Sequence, residues 1–189
     1  SQAHYNPAVT LAFCVRRRQA WSAGAAYVGV QLLAALASSV VAGLFHGHSE
    51  ENSQHILDAL KEPVLDGWLA GSAAEFIGTF LLAFVILMVG TSRLTAGNSY
   101  YGLAIAVAVL GLAGTFGDFN PTMNPAVSLA SSLLGIFAAI FDGLIGTKTF
   151  VTETLFLAKV APRILAEVAV QFVAAALAAW FFRLLFPED

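Results

Sequence analysis

Two copies of one short pattern carry the chemistry this sequence can perform. Tyr5-Asn6-Pro7-Ala8-Val9-Thr10-Leu11-Ala12 returns as Met123-Asn124-Pro125-Ala126-Val127-Ser128-Leu129-Ala130, identical at six of eight positions. Each copy reads as a helix start. An Asn side chain accepts a bond from a first-turn amide, and a proline at the first helical position has no N–H to lose. The helices end near Arg16 and near Gly135. Ten or so apolar residues are too few for a bilayer core of roughly 30 Å, so both are expected to be re-entrant half-helices. At each tip the Asn6 and Asn124 amides join free first-turn N–H groups and the positive end of a helix dipole. Such donors hydrogen-bond neutral polar molecules and repel cations. Chemistry of the bond-breaking kind has no footing: the sequence has no nucleophile–base constellation, no phosphate-binding loop and no metal-ligand cluster. No catalytic residue, metal or cofactor is expected, and the single Cys14 excludes a disulfide framework within the chain.

The elements that hold these tips must lie in lipid. Of 189 residues 58% are hydrophobic and only 11% charged, with a mean hydropathy of +0.78. Soluble domains carry about 25% charged residues, so this chain cannot cover a water-facing surface. A net charge of −3 with nine Lys+Arg argues against nucleic acid as a partner. The bilayer is the partner instead. Four apolar stretches are expected to span it: 21–45; 68–91 with Glu75 inside; 101–116; and 162–186 with Glu167 and Arg183. Small residues four apart mark expected helix contacts at Ala25/Gly29, Ser39/Gly43, Gly102/Ala106 and Ala174/Ala178.

Charge sets an orientation. Arg16, Arg17 and Arg18 precede the first span, and the loop 46–67 after it holds Glu50, Glu51, Asp58, Glu62 and Asp66 against Lys61. The positive-inside rule puts the arginines in the cytoplasm and that loop outside. Arg93 and Arg183 then fall inside, Lys148, Lys159 and Arg163 outside. The first motif lies on the cytoplasmic side and the second enters from outside, so two similar half-helices approach the midplane from opposite faces. Residues 1–45 thus hold the remainder of a first repeat and 68–189 a second. Irregular backbone at that depth must be buried in protein or line a water-filled cavity.

With its two Asn-Pro-Ala copies in inverted context, the sequence resembles the aquaporin, or major intrinsic protein, family. The likeness extends to His4, Ala26-Tyr27 with Gln31, Glu75 through Thr79-Phe80, and Gly102-Leu103-Ala104-Ile105. It implies an all-α membrane fold of the aquaporin-like inverted-repeat type, here four spans plus two half-helices. It also implies passive conduction of water or small neutral solutes, one pore per subunit, homotetramers and a place in the plasma membrane. By the same resemblance Asn6, Pro7, Ala8, Asn124, Pro125 and Ala126 form the constriction and His4 faces the inner pore mouth. Glu75 accepts bonds from loop backbone near the second half-helix, and Gln31 supports the first.

The departures matter as much. The family places two spans before its first motif, whereas here the motif begins at the sixth residue, which suggests a piece of a longer chain. Most members follow the second Asn-Pro-Ala with Arg; this chain has Val127. Water-selective members carry His about twelve residues upstream, where Leu112 or Ala113 stands here. The outer filter, read as Val127, Pro121 and Leu112, is therefore apolar and Arg-free, which points to relaxed selectivity, although Ser128 looks water-type. Asn120-Pro121-Thr122 offers a second register, disfavoured because Pro125 would then sit inside the first turn. Segment 136–161 has no assigned purpose. His46, His48 and His55 read as a solvated acidic loop. The competing readings are a non-conducting structural membrane protein or truncated family fragment, and a coupled transporter.

Overall fold

The computed structural model describes residues 3–46, 66–119, 121–133 and 150–189. Most of the 46–67 loop with His48 and His55, Asn120 and the segment 134–149 lie outside them, while His46 ends a helix. Among the described residues all regular structure is helical. α1 is Pro7–Val15, α2 Trp21–His46, α3 Asp66–Thr91, α4 Tyr101–Phe116, α5 the residues 125–133 and α6 Phe150–Leu185. Four stretches are long and apolar enough to cross a membrane: Trp21–Ala42, Trp68–Thr91, Tyr101–Phe119 and Pro162–Leu185.

Length separates spans from half-helices. At about 1.5 Å per residue, the 26 residues of α2 reach about 39 Å and the nine of α1 about 14 Å. α4 alone is short, but a 3-10 turn over Gly117–Phe119 carries its span to 19 residues. The last helix departs from expectation. It begins at Phe150 with Pro162 inside it, not at Pro162. Proline's fixed φ fits a helix and costs it one hydrogen bond, so Pro162 does not have to be the first residue.

The core is a seam where α1, α3 and α6 meet. Ala8 and Ala12 of α1 pack with Ala83 and Leu87 of α3 and with Ala175, Ala178, Ala179 and Phe182 of α6, each at most 1% exposed. Helices in lipid gain nothing from hydrophobic transfer between themselves, so close approach over small side chains supplies the attraction. Along one edge of this seam Phe80, Phe84, Phe181, Phe182 and Phe186 form a chain of rings 4.9–6.3 Å apart. The expected Ala174/Ala178 pair is part of the core, and Ser39 reaches the Ala130 carbonyl of α5 at 2.8 Å. Ala25/Gly29 and Gly102/Ala106 do not pack within the described chain. They are exposed, and a Cβ at Gly29 or Gly102 would meet nothing within 4 Å.

Gly24 is the glycine that a close approach requires. A Cβ there would lie 2.4 Å from the Cys14 Sγ, where α2 crosses α1. Gly24→Ala should therefore cost about 1–3 kcal/mol, as overpacking does. The lower midpoint of thermal unfolding in detergent should recover in Cys14→Ala/Gly24→Ala, because the next atom stands off at 3.7 Å.

One end of the bundle gathers its arginines. Arg183 Nη1 donates to the Val15 carbonyl, Arg18 Nη2 to the carbonyls of Thr91 and Asp189, and Arg16 lies over the Phe182 ring at 4.5 Å. Asp189 is the counter-charge, 3.9 Å from Arg16 and 4.0 Å from Arg93. The Ser92 hydroxyl and the Arg93 backbone N–H, with these two guanidiniums, hold its carboxyl below the usual carboxylate range. A depressed folded value makes the contribution complete above the unfolded value and lost as pH falls through the folded one. Asp189→Asn should thus lower the melting point at pH 7, and the gap from wild type should close in strong acid.

Candidate functional site: two half-helix tips locked to each other

Each tip is built from its own asparagine. Asn6 sits in extended backbone, φ −148° and ψ 115°, and its Oδ1 accepts from the Ala8 and Val9 amides at 2.9 and 3.3 Å. Asn124 Oδ1 accepts from the Ala126 amide at 3.0 Å. Helix α5 begins at Pro125 after irregular backbone at 121–124, so the register is the one set by Asn124, not by Pro121. Pro7, Ala8, Pro125 and Ala126 are buried behind the tips.

The tips then bind one another. Asn6 Nδ2 donates to the Met123 carbonyl at 2.8 Å, and Asn124 Nδ2 donates to the Tyr5 carbonyl at 3.0 Å. Each accepting carbonyl belongs to the residue just before the other asparagine. Those two residues have left-handed backbone, φ 52° at Tyr5 and 53° at Met123, a conformation a non-glycine side chain rarely adopts. Strain of this kind persists only where its surroundings over-determine it. The reciprocal bonds are that surrounding. Each side-chain amide has two N–H groups, so one remains on each asparagine, without a partner among the described residues.

Behind the tips, the hydroxyl at the fifth motif position organises each half. Thr10 Oγ1 donates to the Asn6 carbonyl at 3.1 Å, receives Gln31 Nε2 at 3.1 Å, and lies 3.1 Å from His4 Nδ1. His4 stacks near Phe13 and Tyr27, with ring centroids 4.2 and 5.4 Å away. In the second half Ser128 Oγ receives Gln171 Nε2 at 2.9 Å and bonds the Thr122 hydroxyl. His4 and Thr122 each stand two residues before their asparagine, and each meets the hydroxyl of its own half.

Glu75 is the anchor of the second half. One carboxylate oxygen accepts from the Thr122 amide at 2.6 Å and its hydroxyl at 3.0 Å; the other accepts from the Met123 amide at 2.9 Å and Gln171 Nε2 at 2.9 Å. Four donors fill the acceptor capacity of an ionised carboxylate. Met123 also packs where α3 passes closest, 3.0 Å from a Cβ placed on Gly78.

The structure brings Asn6, Asn124, His4, Gln31 and Glu75 into these two networks. Val127, in the first turn of α5, stands 46% exposed, and Pro121 is half-buried in the loop before it. Leu112 does not join them: it packs with Leu82 and Met123, while its neighbour Ala113 is exposed. Sequence reasoning missed Gln171, since nothing near it resembles a motif. The available signal was the repeat itself, because a Gln supporting one half-helix from the following span calls for another in the second half.

The sequence matches the family described as major intrinsic protein over residues 1–182. It is 35% identical to Aquaporin NIP1-1 of Oryza sativa over 71% of this chain and 45% of that protein. It is 34% identical to Aquaporin NIP1-1 of Zea mays over 77% and 50%. It is 27% identical to the glycerol uptake facilitator protein of Streptococcus pneumoniae over 72% and 61%. The chain spans about half the length of the plant relatives. No solved structure is significantly similar to it. With four helices among the described residues long and apolar enough to cross a membrane, two Asn-Pro-Ala half-helices, and a family match along nearly its whole length, the chain belongs to the major intrinsic protein family.

Proposed function

We propose that this chain forms part of a passive channel for water and small neutral solutes, and that it is not an enzyme. The observation that carries the reading is the reciprocal pair, Asn6 to Met123 and Asn124 to Tyr5, with one N–H left over on each amide. Two donors at the meeting point of two positive helix ends suit a file of neutral hydrogen-bonding molecules and oppose cations. In this reading Asn6, Pro7, Ala8, Asn124, Pro125 and Ala126 make the constriction and His4 the inner mouth. Glu75 and Gln31 are buttresses.

Val127 and Pro121 belong to the outer filter. Leu112, packed on Leu82 and Met123, contributes through the wall behind it. A valine there supplies neither a hydrogen-bond donor nor a repelling charge, so solutes larger than water are admitted. The names of the relatives, aquaporins and a glycerol uptake facilitator, are in keeping with that breadth. The arginine-rich end faces the cytoplasm by the positive-inside rule, the protein lies in the plasma membrane, and the working assembly is a homotetramer.

Stopped-flow light scattering of proteoliposomes tests the reading. Under a sucrose gradient the vesicles should shrink several-fold faster than empty ones, and under glycerol they should shrink and then re-swell. Rates equal to empty vesicles, with inserted and folded protein, would exclude conduction. Val127→Arg should leave water shrinkage within about twofold of wild type and slow glycerol re-swelling by roughly tenfold, the effect of about 1.4 kcal/mol at the barrier. Unchanged re-swelling would remove Val127 from the filter.

A further inference from the structure

Gln171 is the one fully buried amide side chain of α6, at 0% exposure, in an otherwise apolar stretch. Its Nε2 lies 2.9 Å from Glu75, 2.8 Å from Thr122 Oγ1 and 2.9 Å from Ser128 Oγ. These three groups belong to α3, to the loop before the second tip, and to α5 itself. Its Oε1 is buried with no partner among the described residues.

That imbalance is informative. An amide that leaves its oxygen unsatisfied is a poor device for stability alone. The orientation is nevertheless forced. A carboxylate only accepts, so Glu75 requires the nitrogen end, and a flipped amide would set oxygen against oxygen. The order of donation follows. Thr122 gives its proton to Glu75, Ser128 can then give its own to Thr122, and Gln171 supplies Glu75 and Ser128. The Thr122 and Ser128 hydroxyls each take one direction, and Gln171 is the group that closes the set. In the first half Gln31 donates to Thr10 from α2 at 3.1 Å, the same relation between a half-helix and the span that follows it.

We propose that Gln171 is a positioning residue. It fixes the height and rotation of the second half-helix against α3 and α6, and so sets where Val127 and the free Asn124 N–H stand. The consequence for solutes rests on the channel reading; the placement of the half-helix does not.

Two measurements on Gln171→Leu in lipid vesicles separate these. Amide hydrogen exchange should rise at least threefold in peptides covering 121–132 and stay as in wild type in peptides of α2. The glycerol-to-water permeability ratio should rise at least twofold. Ser128→Ala, which removes one acceptor hydroxyl, should shift both in the same direction, and it carries the test should Gln171→Leu fail to insert. The double variant should exceed the larger single effect by little. Val173→Leu, on the exposed side of the same helix, should change neither. Unchanged exchange at 121–132 in inserted Gln171→Leu overturns the positioning role, as does full additivity with Ser128→Ala. Faster exchange at 121–132 in Gln171→Leu, beside a wild-type protein that conducts nothing, would keep the role and sink the channel reading.

Discussion

A helix that starts inside a membrane has to satisfy its first amides and carbonyls without water, and the rest of this structure follows from that demand. Lipid offers no partners, so each unsatisfied backbone group there costs several kcal/mol. The solution is mutual. Each asparagine caps its own helix through oxygen and holds the opposite loop through nitrogen, so neither tip is complete without the other. Left-handed backbone at Tyr5 and Met123 turns the required carbonyls into place. The meeting point is therefore a bonded junction between two half-helices, with one side-chain N–H of each asparagine left without a partner among the described residues.

Such a junction needs rigid support, and the two halves obtain it differently. In the first, a backbone carbonyl, a side-chain amide and an imidazole converge on the Thr10 hydroxyl. In the second, a buried carboxylate collects four donors. Removing one donor of such a set leaves a buried acceptor unsatisfied, which costs more than the bond itself contributes. The asymmetry explains why an ionisable group in an apolar span belongs to the support of the junction: each of its acceptor sites is occupied by a donor fixed to the second tip or to α6.

The packing that holds both networks is made of small side chains. Alanines of α1, α3 and α6 bring three backbones close, and the phenylalanine chain fills the space beside them. At the arginine-rich end, Asp189 ties the end of α1, the loop after α3 and the segment beyond α6 to a single carboxylate. These contacts join the ends of α1, α3 and α6 at one end of the bundle.

Much of this was written in residue types. The repeated octapeptide, a proline after each capping asparagine, four uncharged stretches and a lone acid within one of them are properties of local sequence and length. They determined the half-helices, the spans and the importance of Glu75 and Gln31. Other features were decided only in three dimensions. Gln171 lies far along the chain from Glu75 and Ser128, and an isolated glutamine in an apolar run has no local signature. The strained carbonyls of Tyr5 and Met123 come from the opposite tip, so no local rule points to them. The packing of Leu112 against Met123 and the clearance between Gly24 and Cys14 depend on which faces meet, and helices apolar all round carry no periodicity to say so. Hydrophobic length decides that a segment crosses a membrane; partners for its polar atoms, supplied from distant parts of the chain, decide what the crossing segments build.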